Sequence, residues 1–455
     1  MKGFVLAGTH SGVGKTTLSL GLMRAYRNRG MQVAPFKVGP DYIDPMFHRI
    51  AAGNISYNLD LILMKKDGVK RSFVDHAGQS DIAIVEGVMG LYDGMNFSKD
   101  NGSTAHVARV LDLPVFLVVD AQGMAASVLA HIQGYCSYDP NLRIAGIILN
   151  RVSSEGLYKY LKEPIEEHLG IPCVGYLPKD KQVHLSSRHL GLIPVNELDH
   201  FDEKLNRIAD LVEEHFDWEL IQEISEIQIG RNETKADHAW AKGLRIGIAH
   251  DDAFNFYYQE NLERVEKWGG EWISCSPMKD SKLPEGIDAL YLGGGFPEVF
   301  AKELNENQGF VQDLKEKIAE GLPVYAECGG YLYLSSSIQQ LDGSLVPMTG
   351  ILSGKGEMTK RLQRFGYVSC QWGELEIRAH EFHRSRIIHL EPVQQVLQLT
   401  QLRNQEKHWK CGERFHNVLA GYPHLHFTGN PEFLKKMIGI VQKRKKENGH
   451  VRKES

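Results

Sequence analysis

Short, wholly apolar runs recur along the first half of the chain, each separated from the next by enough residues to form a helix. They are Phe4-Val5-Leu6, Val33-Ala34-Pro35-Phe36, Ile82-Ala83-Ile84-Val85, Val115-Phe116-Leu117-Val118-Val119 and Ile144-Ala145-Gly146-Ile147-Ile148-Leu149. Runs that are apolar at every position, rather than at alternate ones, suit strands covered on both faces. They predict a parallel sheet with helical crossovers. The pattern then lapses: residues 225–243 (SEIQIGRNETKADHAWAKG) are polar and weakly periodic, and read as a linker. A second series follows, with Leu244-Arg245-Ile246-Gly247-Ile248-Ala249, Ala289-Leu290-Tyr291-Leu292 and Pro323-Val324-Tyr325-Ala326, and Lys302 to Glu320 as one helical spacer. The expectation is an α/β protein of two domains, 1–224 and 244–440, ending in a basic tail, 441–455. No short internal repeat marks a solenoid.

Length supports two domains, because 455 residues exceed what one core usually fills. The formal net charge of −5 argues against a nucleic-acid partner. The basic exception, Lys443-Arg444-Lys445-Lys446, reads as a frayed, solvated terminus. Six scattered cysteines without C-x-x-C pairing fit reduced thiols and a cytoplasmic location. The N-terminus enters a strand and glycine turn directly, leaving no room for a signal peptide, and no apolar run is long enough for a membrane span.

Chemistry enters at the end of the first strand, where Gly8-Thr9-His10-Ser11-Gly12-Val13-Gly14-Lys15-Thr16-Thr17 leads into a helical pattern. Small residues let backbone N–H groups face phosphates, a lysine reaches the β/γ oxygens, and a hydroxyl serves Mg²⁺. Gly12, Val13, Gly14, Lys15, Thr16 and Thr17 are therefore candidate ATP-binding residues. The first glycine of the G-x-x-x-x-G-K-[ST] pattern would stand at position 9; here Gly8 comes one place early. Acidic residues at neighbouring strand ends are candidate Mg²⁺ ligands. Glu86 heads them, and Asp41 and Asp44 could hold a second metal or orient substrate, or simply cap a turn near Pro40 and Pro45. Asp93 lies just beyond Glu86. Asp120 and Asn150 end later strands at the sheet edge where ligands of open parallel sheets bind.

In the second half, Ala326-Glu327-Cys328-Gly329-Gly330 sets a cysteine at a strand-to-helix turn. The reading is a nucleophile elbow whose thiol gains acidity from the helix N-terminus. Gly329, with Gly294 and Gly295 of Leu292-Gly293-Gly294-Gly295-Phe296-Pro297-Glu298, could present N–H groups to an oxyanion. A base is needed, and either histidine of Tyr422-Pro423-His424-Leu425-His426-Phe427 could serve. The cluster His380-Glu381-Phe382-His383 is too closely spaced for H-E-x-x-H zinc binding and reads as a strand with one polar face or a loop.

Taken together these segments resemble the cobyrinic acid a,c-diamide synthases, which make an early amidation in cobalamin biosynthesis, and their hydrogenobyrinic acid relatives. The resemblance covers nearly the whole chain. It rests on the phosphate loop, Val38-Gly39-Pro40-Asp41-Tyr42-Ile43-Asp44-Pro45, Glu86-Gly87-Val88-Met89-Gly90-Leu91-Tyr92-Asp93-Gly94, Gly293 to Glu298, Ala326 to Tyr331 and His424-Leu425-His426-Phe427. The N-terminal half is also similar to dethiobiotin synthetase, which shares the Gly-Thr opening; that likeness implies Mg²⁺ on Glu86 and adenine beside Asn150. The C-terminal half is similar to class I glutamine amidotransferases of the group that includes cobyric acid synthase, whose ending favours His424 over His426 as base. The glutamate that normally stands two places after that base is replaced by His426, so the group orienting His424 is unassigned.

What the resemblance implies is a ligase with ATP as co-substrate and Mg²⁺ as cofactor. L-glutamine would be the ammonia donor and cobyrinic acid or a related tetrapyrrole the acceptor. Nickel-sirohydrochlorin a,c-diamide synthase and cobyric acid synthase are the neighbouring alternatives. The Gly-Lys-Thr-Thr run is also similar to partitioning ATPases, but these carry a signature lysine where His10 stands and have no cysteine domain. Oligomeric state is open, a homodimer being one assembly the sequence allows.

Overall fold

The computed structural model describes residues 1–180, 182–183, 187–188, 191–192, 200–230, 238–389 and 391–454. The chain divides into two compact units, 1–234 and 235–455. Segments 225–230 and 238–243, the described ends of the stretch read as a linker, are each tied to their own unit. Ile227 N–H donates to Met1 O (3.0 Å), and Ala241 N–H donates to Trp268 O (2.8 Å). Residues 231–237 lie outside the described residues.

The first unit is built on seven parallel strands: β1 (Lys2–Gly8), β2 (Val33–Val38), β3 (Tyr57–Leu59), β4 (Ile82–Glu86), β5 (Val115–Asp120), β6 (Ile144–Val152) and β7 (Cys173–Pro178). Their order is β3-β2-β4-β1-β5-β6-β7, which puts β1 between β4 and β5. The apolar runs are buried as expected, since helices cover both faces. Helix α1 (Lys15–Asn28) buries Leu18, Leu20, Leu22 and Met23, and it starts from Gly14 at φ 101°. Only a residue without Cβ takes that conformation easily. Helix α2 (Ile43–Ala52) follows β2.

In the second unit a ten-stranded sheet runs, in spatial order, Glu271–Cys275, Arg245–Ala249, Ala289–Leu292, Val324–Glu327, Val418–Gly421, His408–Phe415, Gln395–Gln401, Arg364–Trp372, Leu375–His383 and His424–Leu425. The first five strands pair in parallel and the rest antiparallel. The segment His380 to His383 is therefore a strand, with His380 paired to His424. Two details differ from the expectation. The spacer Lys302 to Glu320 is two helices, Ala301–Glu306 and Gln308–Ala319, because Asn307 leaves helical geometry and donates to Pro277 O (2.8 Å). The basic run Lys443 to Lys446 is not a frayed end but part of the helix Pro431–Glu454. Burial of Val441 and the bonds of Lys445 Nζ to Asp288 Oδ2 and Gly243 O (each 2.7 Å) anchor it.

Candidate active sites

In the first unit β1 delivers the phosphate loop to the carboxyl edge of the sheet. A Cβ on Gly8 would lie 2.3 Å from Val13 Cγ1 and 3.1 Å from Lys15 Cγ, so the early glycine is needed where the loop folds back over its own strand. Lys15 is buried, and its Nζ donates to His10 O (3.3 Å) and to Met89 O. Burial, then the nearby charge of Lys37, lowers its pKa to about 8.

The Thr16 hydroxyl donates to Glu86 Oε1 at 2.7 Å. The same oxygen accepts from Lys37 Nζ (2.7 Å), while Glu86 Oε2 faces His48 Nε2 (2.7 Å). Lys37 Nζ also meets Asp44 Oδ2 at 2.5 Å. Burial alone would raise the Glu86 carboxyl, but Lys37 and then His48 override it and hold it well below the usual carboxylate range. Burial, followed by the charge of Asp41, pushes Asp44 up to about 8. Sequence reasoning missed Lys37 and His48. A lysine continuing the apolar run after Phe36 was the available signal, because a lysine inside a fully covered strand is kept only where it is paired.

The other candidates of this unit also lie at the sheet edge. One oxygen of Asp41 caps the N–H groups of Ile43 (2.7 Å) and Asp44 (3.0 Å). Asp93 Oδ2 accepts from Gly90 N–H (2.8 Å), shaping the turn that carries Met89 O to Lys15. Asn150 Nδ2 donates to Val13 O (2.7 Å), and Gly14 packs against the same amide. Asp120 pairs with Arg151 (2.5 Å), which in turn donates to Gly12 O (2.7 Å). Gly12 keeps φ at 82°, and Thr17 lies in the first turn of α1.

In the second unit Cys328 follows the strand Val324–Glu327 at φ 46° and ψ −94°, a backbone conformation uncommon for a side chain with Cβ. Its N–H donates to Gly421 O (2.7 Å) and Gly330 N–H donates to Gly293 O (3.0 Å), so the elbow is pinned to strands on both sides. The pairing of Glu327 with Gly421 sets the turn that carries His424 beside the elbow. A Cβ on Gly294 would fall 2.5 Å from His424 Cε1, and one on Gly329 would fall 3.0 Å from Gly295 N. Cys328, His424, Gly294, Gly295 and Gly329 thus lie together. Glu327, which the sequence reading passed over, has Oε2 3.4 Å from His424 Nδ1. His426 instead has Nε2 3.2 Å from Glu260 Oε2.

The expected acidification of the thiol does not occur. Burial, then the charges of Glu298, Glu381 and Glu327, push the Cys328 thiol far above its ordinary value, and only the Gly329 N–H acts the other way. The helix that follows, Gly329–Leu334, has six residues and therefore a weak terminal field. A thiol held this high is a weak nucleophile until a base takes its proton.

Two sites of this chemistry define a chain that joins a nucleotide-binding unit to a glutamine amidotransferase unit. Residues 4–193 match the CobQ/CobB/MinD/ParA nucleotide binding domain, and residues 245–432 match the CobB/CobQ-like glutamine amidotransferase domain. A cobyrinate a,c-diamide synthase of Caldanaerobacter subterraneus is 45% identical over 444 residues, covering 96% of this chain and 97% of that protein. Those of Clostridium acetobutylicum and Fusobacterium nucleatum are 43% and 42% identical, each matched over its full length and over 96% of this chain. The chain belongs to the cobyrinate a,c-diamide synthase family. Among the described residues no helix is long and apolar enough to cross a membrane.

Proposed function

We propose that this chain converts the a and c acetate carboxylates of cobyrinic acid, or of hydrogenobyrinic acid, to amides, consuming ATP and glutamine in the cytoplasm. The observation that carries the reading is the meeting of Cys328, His424 and the glycines 294, 295 and 329 at one strand edge, in a chain whose other unit holds a phosphate loop. The Cys328 thiol attacks the glutamine amide carbon while His424 takes its proton. The N–H groups of Gly295 and Gly329 receive the oxyanion, and His424 returns the proton to the departing ammonia. Water then cleaves the thioester to release glutamate.

At the phosphate loop, Lys15 and Lys37 offer positive charge to the γ-phosphate as it passes to the substrate carboxylate, and Asn150 borders the adenine side. Asp44 and Asp93 face the acceptor. Ammonia attacks the carbonyl carbon of the acyl phosphate, forming the C–N bond of the amide as inorganic phosphate leaves. The donor set fits Mg²⁺, because the Thr16 hydroxyl and Glu86 carboxylate are hard oxygens 2.7 Å apart, with Asp41 on the neighbouring strand end. When bound, the ion supplies charge neutralisation at the β and γ oxygens.

Cys328→Ala is expected to abolish glutamine-dependent amidation and to retain activity with ammonium salts, whereas Lys15→Ala stops both. Loss of both activities in a folded Cys328→Ala protein would refute the two-site reading. Mass spectrometry of products from cobyrinic acid, hydrogenobyrinic acid and nickel-sirohydrochlorin identifies the acceptor, two successive single amidations being the expected result.

A further inference from the structure

We propose that Glu327, the residue immediately before the nucleophile, is the positioning carboxylate of His424, taking the part usually played by a glutamate two places after the histidine. The inference rests on the assignment of Cys328 and His424 as nucleophile and base.

Glu327 is the last residue of the strand Val324–Glu327 and is 1% exposed. Its backbone is fixed by parallel pairing to Gly421. Side chains two apart on a strand share a face, and so Tyr325 lies beside it and donates its hydroxyl to Glu327 Oε1 at 2.8 Å. Leu425 N–H, adjacent to the histidine, reaches the same oxygen at 3.3 Å. The other oxygen, Oε2, lies 3.4 Å from His424 Nδ1. That is an ion-pair distance and not yet a formed hydrogen bond, as an unliganded site often shows before substrate draws such a contact tight.

Charge favours the same conclusion. A buried carboxylate needs a cation or several donors. Among the described residues no lysine or arginine lies within ion-pairing distance of Glu327, and its ionic partner is His424. The donors Tyr325 and Leu425 carry no charge, so the carboxylate has a full positive charge beside it only when the imidazole is protonated. It gains that charge when His424 accepts the proton of Cys328, so the carboxylate stabilises the protonated base more than the resting one. It also fixes the tautomer: with Nδ1–H turned to Glu327, Nε2 is the nitrogen open to the thiol. Other titratable groups near His424 are His380 and His383 on the strand Leu375–His383. Burial, then His424 itself, lowers His380 to about 3, so it adds no positive charge beside Glu327.

Glu327→Gln separates positioning from packing. The amide oxygen still accepts from Tyr325 and Leu425, whereas an amide cannot bind Nδ1–H as a carboxylate does. The expected result is a loss in glutamine-hydrolysis kcat of about 10³- to 10⁴-fold, the effect of neutralising an orienting acid. KM for glutamine should stay within about threefold, because the group does not touch substrate. Ammonium-driven amidation should remain at the parent rate. Tyr325→Phe, which removes a packing bond and keeps the carboxylate, should hold glutaminase kcat within about threefold. A Glu327→Gln enzyme with kcat within tenfold of the parent overturns the proposal. So does one whose loss appears in KM with kcat unchanged, or a Tyr325→Phe loss as large as that of Glu327→Gln. If Cys328→Ala or His424→Ala instead leaves glutamine-dependent activity intact, it is the underlying two-site reading that fails.

Discussion

Removing the buried ammonium of Lys37 tests whether the charge cluster beneath the phosphate loop is a mutually dependent network. In Lys37→Met, Glu86 keeps Thr16 and His48, both at 2.7 Å, but loses a full positive charge at the same distance. Asp44 loses its 2.5 Å partner. Breaking a buried ion pair from one side costs about 3–5 kcal/mol. Asp44 escapes most of this, because burial and Asp41 have already raised it to about 8 and it takes up a proton at neutral pH. The penalty then falls on Glu86 alone, which retains two partners, and lies at the lower end, about 3 kcal/mol. With a urea slope of about 2–3 kcal/mol per molar, the transition of the first unit should move down by about 1–1.5 M. Circular dichroism at pH 7 follows it, with the slope unchanged. A second substitution discriminates further: Glu86→Gln on the Lys37→Met background should recover at least about 1 kcal/mol and Asp44→Asn less than about 0.5. A shift below about 0.3 M for Lys37→Met, or equal recovery by the two second changes, would refute this account.

Other changes are expected to separate the sites. Gly294→Ala forces a methyl to 2.5 Å from His424 Cε1, so glutamine-dependent turnover should fall at least about tenfold while ammonium-driven turnover is kept, as paired steady-state assays would show. Gly8→Ala brings a methyl to 2.3 Å from Val13 Cγ1 and should weaken nucleotide binding at least about tenfold by calorimetry, with about 1–3 kcal/mol of overpacking. Burial raises Glu381 to about 8 from 4.5. The folded chain therefore holds a proton the unfolded chain has lost, and stability declines as pH rises through that window. Glu381→Gln should accordingly gain stability relative to the parent between pH 5 and 8, with a plateau above; urea midpoints across that range would expose a flat or opposite trend.

Much of the architecture was legible because buried strands are written as uninterrupted apolar runs. Ile82 to Val85 and Val115 to Val119 sit in the sheet where the pattern puts them. The phosphate loop and the elbow were equally plain, since glycines there answer to close approach rather than to preference, as Gly8 and Gly294 demonstrate. What escaped was pairing at a distance. Lys37 and Glu86 lie 49 positions apart, and no local pattern says that one ammonium will neutralise the other's carboxylate. Glu327 was hidden differently: as a neighbour of Cys328 it read as part of the elbow, and the ionic partner of its carboxylate comes only with the return of the chain 97 residues later, at His424. The thiol's acidity was misjudged for the same reason, because it is set first by burial in the folded chain and then by the carboxylates of Glu298 and Glu381, which approach from separate segments.

The backbone of Cys328 sets stability against chemistry at a single position. Held at φ 46° by bonds to strands on both sides, it stores strain of about 1–3 kcal/mol that glycine would relieve. Selection for folding alone would push this site toward a residue with no side chain, and on the proposed mechanism every such step would silence glutamine hydrolysis. The elbow is thus a place where a more durable protein and a working one are different sequences. Attempts to harden the enzyme should add their stabilisation elsewhere and leave this turn strained.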